Sequence, residues 1–213
     1  MLILNFYLKH QEFLNYFNGD EQLFLKGKNL LSYEMAMKIT KNTLLAEKRF
    51  LEKETELVFI EQVEAEMTSA VEIQIKDEKR IINFKGYIDR IDKIGSKYRV
   101  IDYKTGKVTD KDVEFKVSED GIKASFASSK HSLQLALYSI FFKEKYKVLP
   151  DIAAIYSLVN LTKPFELKFK NKNGLEDFPE LFKELVEEII SEIYDLDVPF
   201  EHSSNSKYCN FCN

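Results

Sequence analysis

No apolar run in this chain approaches the roughly 20 residues that cross a bilayer, and no signal-peptide pattern follows Met1. Both absences predict a soluble, cytoplasmic protein with no membrane partner. Positive charge is not in excess: 31 Lys and Arg against 35 Asp and Glu leave a formal net charge of −4. Bulk attraction therefore cannot hold a polyanion, and any such contact must be local or supplied by other domains. Cysteine is nearly missing. The two present, Cys209 and Cys212, sit together near the end, which is not the usage of a secreted disulfide scaffold. No internal repeat or low-complexity tract stands out. With 213 residues, 45% of them hydrophobic, the chain can bury one substantial core, or one domain with an added helical layer.

What is present centres on residues 86–107, GYIDRIDKIGSKYRVIDYKTGK. Two runs rich in β-branched and aromatic residues flank Gly95-Ser96, a dipeptide suited to a two-residue hairpin turn. Counting outward from that turn pairs Ile94 with Lys97, Asp92 with Arg99, Ile91 with Val100 and Asp89 with Asp102. The Asp92–Arg99 match supports the register, because opposite charges across a strand pair stabilise it. By the same rule, Asp89 opposite Asp102 is a cost.

Two carboxylates about 5 Å apart require a cation or a shared proton. Lys104 lies two residues beyond Asp102 and so projects from the same sheet face. Oxygen ligands without nitrogen or sulfur neighbours suit magnesium, manganese or calcium rather than zinc. A divalent ion between two aspartates, with a lysine alongside, is machinery for phosphoester hydrolysis. Solvated Asp–Lys pairs are common on surface strands, and D-x-K alone would mean little. The second aspartate in register, with Ile91 and Val100 between the acids and the turn, favours a metal site. A glycosidase with paired carboxylates fits poorly, since directly opposite residues stand near the close limit for that chemistry and Lys104 would have no role.

The combination G-Y-I-D-R-I-D, I-D-Y-K-T-G-K and Q-L-A-L-Y resembles the PD-(D/E)XK nuclease superfamily, and within it the RecB/AddB-like domains of helicase-nucleases. The resemblance covers roughly residues 64–138. It implies Asp89 and Asp102 as metal-binding acids, Lys104 as catalytic lysine, and Gln134 and Tyr138 as the following helix motif against the active site and DNA. The Tyr103 carbonyl would complete the metal shell. A glutamate of the preceding strand would assist, with Glu64 preferred slightly over Glu66. The family's upstream histidine is missing, because His10 sits in no matching motif and reads as a surface or packing residue. Either that histidine is dispensed with, or the sequence is part of a larger protein whose upstream segment carried it, and a resemblance that begins in mid-domain favours the second. Some relatives close an iron–sulfur cluster near this end, so Cys209 and Cys212 read as half of an iron–sulfur or zinc site completed only in a longer chain. His202 is a weak third ligand.

Around this centre the chain divides into a helical lead-in (1–55), a catalytic core (56–160) and a C-terminal helix with the cysteine motif (161–213). Residues 1–25 show an aromatic-rich helical pattern, and Asn29 or Ser32 can cap a helix running to about Lys53. Residues 57–75 alternate as one or two strands, with Asp77, Glu78 and Lys79 as a turn. The polar stretch 108–130 reads as a mobile flap over a substrate groove or a plain surface insertion. Ser129 or Ser132 can cap the helix carrying Gln134 and Tyr138, which share a face. His131, at its start, reads as exposed or as a DNA-backbone contact rather than a base. Residues 152–159 read as a buried strand, 165–169 as an edge strand and 178–194 as an amphipathic helix.

The expected fold is α/β, a restriction-endonuclease-like mixed sheet of four or five strands with helices on both sides. The expected function is a magnesium- or manganese-dependent deoxyribonuclease acting as an exonuclease with a helicase domain or subunit of a recombination complex. The alternative is a catalytically inactive nuclease-fold module for DNA tethering or subunit contact. Asp89→Ala or Asp102→Ala is expected to abolish cleavage while leaving the fold intact or slightly stabilised.

Overall fold

The computed structural model describes residues 10–75, 78–116, 130–169, 176–197 and 199. Its frame is a five-stranded mixed sheet in the order β1-β2-β3-β5-β6. These strands span Val58–Ile75, Glu78–Ile94, Lys97–Lys104, Ile152–Ser157 and Asn160–Glu166. A second, two-stranded sheet joins β4 (Glu114–Phe115) to β7 (Lys168–Phe169). Helix α1 (Gly27–Leu51) covers one face, while α2 (Lys130–Tyr146) and α3 (Phe178–Ile193) cover the other. The result is the restriction-endonuclease-like α/β architecture.

The β2–β3 turn forms where expected. Gly95 has φ +57, the left-handed region that a two-residue hairpin turn demands, and a Cβ there would come within 1.8 Å of Glu56 Oε2. The register reads Ile94↔Lys97, Asp92↔Arg99 and Ile91↔Val100, ending at Arg90↔Ile101. Beyond that pair the two strands part, and residues 102–104 of β3 continue alongside β5 in parallel pairing.

Alternation then sorts the side chains. Val100 and Ile155 enter the core beneath α2, so Asp102, Lys104 and Ser157 share their face. Arg90, Asp92, Arg99 and Tyr103 face α1. On β1 and β2 the alternation slips at one shared point, and β1 carries a separate register shift between Ile60 and Gln62. Gln62 reaches Lys145 of α2, and Ala65 is also in the core beneath α2. Ile88 and Ile91 likewise both enter that core. The members of each pair are three positions apart, an odd step, so each strand takes one extra residue there. Glu64 has φ +48 at that slip, and Asp89 lies opposite it on β2.

Several boundaries differ from the sequence reading. Glu78 and Lys79 are paired strand residues rather than turn, because Ile75 and Gln74 extend β1 far enough to meet them. Helix α1 starts at Gly27 without a side-chain cap. Edge strand β6 begins at Asn160, and β7 is a separate two-residue strand. Residues 108–116 are no flap, since Val108, Val113 and Phe115 are buried in the main core. The remainder of that stretch, 117–129, lies outside the described residues. So do Cys209, Cys212 and His202.

The aromatic lead-in packs locally. Residues 10–16 are helical, His10–Phe24 and Phe13–Tyr33 pack edge to face, and the Phe13 and Phe24 rings meet at a tilt. His10 bonds the Tyr33 hydroxyl through Nδ1 and Glu21 through Nε2, as its reading as a surface or packing residue expected. Among the described residues, no helix is long and apolar enough to cross a membrane.

Candidate active site

Where β2 and β3 diverge, three elements, β2, β3 and α2, bring their polar residues together. Asp89 does not simply face Asp102 across a ladder. Its Oδ2 accepts a hydrogen bond from the Tyr103 N–H at 2.7 Å, occupying a donor that β2 no longer pairs. Asp102 is only 2% exposed. Its Oδ1 accepts from Gln134 Nε2 at 3.0 Å, and the same amide nitrogen donates to the Tyr138 hydroxyl at 2.7 Å. Lys104 Nζ stands 2.7 Å from Asp102 Oδ2. That ion pair is the contact Oδ2 makes among the described residues.

Helix α2 positions Gln134 and Tyr138 one turn apart, over the end of β3. Gly86 makes the approach possible: a Cβ there would lie 3.0 Å from the Phe141 ring and 3.6 Å from that of Tyr138. Burial raises the Asp102 pKa and Lys104 lowers it, with the net shift upward and the Asp89 charge adding to it. Burial also raises the Tyr138 pKa above that of an ordinary phenol.

Asp89, Asp102, Lys104, Gln134 and Tyr138 are therefore linked through Tyr103 and Asp102. The two candidate glutamates stand differently. Glu66 is exposed on the open face of the β1–β2 hairpin, where Lys85 and Tyr87 bind its carboxylate at 2.9 and 2.8 Å. Glu64 is exposed at the strand slip. Among the described residues, no group of three or more His, Cys, Asp or Glu side chains is spaced to hold a metal. Glu64 thus makes no ready third ligand with the two aspartates.

His131 is half-buried rather than exposed, and its Nδ1 is buried with no hydrogen-bond partner among the described residues. Its charge, when protonated, would favour the ionised forms of Asp102 and Asp112. Sequence reasoning also passed over Arg90, although its alternation with Asp92 across from Arg99 was visible. Glu47, which pairs with Arg90 at 3.1 Å, gave no signal, because nothing in the sequence tells which helix residue meets the sheet.

The donor set suits a hard divalent cation. Asp89 and Asp102 are oxygen donors, and the buried Asp102 Oδ2 meets only the Lys104 ammonium among the described residues. No curated protein matches the chain. A family model described as the PD-(D/E)XK nuclease superfamily matches residues 20–213. With D-x-K on β3, a partner aspartate on β2 and Q-x-x-x-Y on the covering helix, the chain belongs to the PD-(D/E)XK nuclease superfamily.

Proposed function

We propose that this chain is a metal-dependent deoxyribonuclease domain that hydrolyses DNA phosphodiester bonds, with magnesium or manganese as its ion. The observation that carries this reading is the buried Asp102 carboxylate, held by Gln134 at Oδ1 and paired with Lys104 at Oδ2, with Asp89 bound to the neighbouring Tyr103 amide. Asp89 and Asp102 would hold the ion, joined by the Tyr103 carbonyl. When bound, such an ion polarises a phosphoryl oxygen and lowers the pKa of a coordinated water.

The protein's own residues supply the rest. Gln134 fixes the rotamer of Asp102 by donating to Oδ1, and hydrogen bonding to Gln134 leaves the Tyr138 hydroxyl proton able to donate to a phosphate oxygen. Lys104, partly exposed, can orient the attacking water or offset charge as it develops on the phosphoryl group. The RecB/AddB-like motif order supports an exonuclease working with a helicase domain or subunit during DNA repair or recombination. The net charge of −4 fits that arrangement, because it leaves much of the DNA affinity to the partner.

Titration calorimetry with magnesium or manganese, on the parent and on Asp102→Asn, tests the site. Binding in the parent alone, followed by cleavage of single- or double-stranded DNA, supports a nuclease. Two folded proteins that both fail to bind would favour the inactive tethering module instead.

A further inference from the structure

Behind the site, on the α1 face, lies a second polar cluster. Arg90 donates through Nε to Asp92 Oδ1 at 2.5 Å and through Nη1 to the Tyr103 hydroxyl at 3.1 Å. The same Nη1 stands 3.1 Å from Glu47 Oε2 of α1. Arg99 donates to Asp92 Oδ2 at 2.5 Å, and its guanidinium lies 4.3 Å from the Phe50 ring centre. Two cations and two anions thus form a continuous, formally neutral chain, with Asp92 fully buried and Arg90 and Arg99 at 8% and 4% exposure.

Burying four charges is a poor route to stability, since apolar residues of similar volume often serve as well or better. What a guanidinium chain supplies is fixed geometry. The position at which it does so is informative. Arg90 follows Asp89, and Tyr103 lies between Asp102 and Lys104. The β2–β3 ladder ends at Arg90↔Ile101, so no backbone pairing from β2 holds Tyr103. Two side-chain contacts replace it: Asp89 grips the Tyr103 N–H from one side, and Arg90 grips its hydroxyl from the other.

We infer that Arg90 and Glu47 are positioning residues of the active site, with α1 acting through Glu47 as a brace that fixes the D-Y-K end of β3 against Asp89. The inference rests on the nuclease reading for its functional meaning. Without the brace, the end of β3 keeps its parallel pairing with β5 but is tied to β2 only through the Asp89–Tyr103 contact, so Asp102 and Lys104 are less firmly fixed relative to Asp89.

The test uses Tyr103→Phe, which removes only the hydroxyl, and Glu47→Gln, which keeps shape and loses charge. Manganese affinity by calorimetry, hydrogen exchange of the Tyr103 amide without metal, and thermal midpoint are measured on each. Supporting partners of metal ligands are worth about 10- to 100-fold in affinity, so a loss of about 10-fold or more is expected. The Tyr103 amide should exchange faster, with the midpoint close to the parent's. Arg90→Lys, which keeps charge without the planar fork, should behave like Tyr103→Phe. Parent-like affinity and parent-like amide protection in Tyr103→Phe would overturn the inference, including in the case where Glu47→Gln fails to fold. A parent that binds no manganese would sink the nuclease reading instead, and amide exchange alone would then decide whether the brace exists.

Discussion

Removing the Asp89 side chain should harm the fold as well as the metal site, contrary to the expectation from charge repulsion alone. Its Oδ2 is the acceptor for the partly buried Tyr103 N–H at 2.7 Å. Asp89→Ala leaves that donor unsatisfied, at a cost of about 1–3 kcal/mol. Relief of repulsion with Asp102 offsets part of this. Asp89→Asn is the control, since it keeps a carbonyl oxygen for the Tyr103 amide while removing the charge. That relief is common to both variants, so at about 2–4 °C per kcal/mol for a domain of this size, Asp89→Ala should melt about 2–12 °C below Asp89→Asn. Thermal unfolding by circular dichroism at neutral pH, without added metal, reads the difference directly. Equal midpoints would refute the reasoning, because they would mean that the contact carries no net energy. Both variants should lose divalent-ion binding and cleavage, so the pair separates the structural role of this acid from its chemical one.

Other substitutions probe the same arrangement. Gly86→Ala would place a methyl 3.0 Å from the Phe141 ring. Overpacking of that kind costs about 1–3 kcal/mol; Phe141→Leu in the same chain should recover part of it in urea unfolding. Gly95→Ala puts a Cβ on a residue at φ +57 and against Glu56. It should cost at least about 1–2 kcal/mol, read from the urea midpoint. For pH, burial raises the folded Asp102 pKa above its ordinary 3.8, so the folded chain keeps that proton to higher pH than the unfolded one. The stability associated with Asp102 is complete below pH 3.8 and lost as pH rises through the folded value. Asp102→Asn should therefore be the more stable protein at neutral pH, with its advantage shrinking on acidification; a constant advantage in urea midpoints across pH would contradict the burial argument. Gln134→Ala leaves Asp102 Oδ1 without its amide donor and should weaken manganese binding, measured by calorimetry, by about 10-fold or more.

The sequence alone determined what depends on local pattern. Gly95-Ser96 between two β-rich runs sets a two-residue turn, and the turn sets the register as far as Asp92↔Arg99 and Ile91↔Val100. Period-2 alternation then puts Asp102 and Lys104 on one face, and helical spacing puts Gln134 and Tyr138 on another. The tertiary structure decided what depends on contacts between distant residues. That the ladder stops at Arg90↔Ile101, and that Asp89 bonds the Tyr103 amide, follow from β3 leaving β2 to run beside β5. The slip at Glu64 and Asp89 arises because both ends of the β1–β2 hairpin must bury side chains beneath the same helical layer. Burial of Val108, Val113 and Phe115 in a polar-looking stretch follows from their neighbours in space, which spacing along the chain does not encode. The Glu47–Arg90 pair joins residues 43 positions apart, and only the docking of α1 on the sheet brings them together.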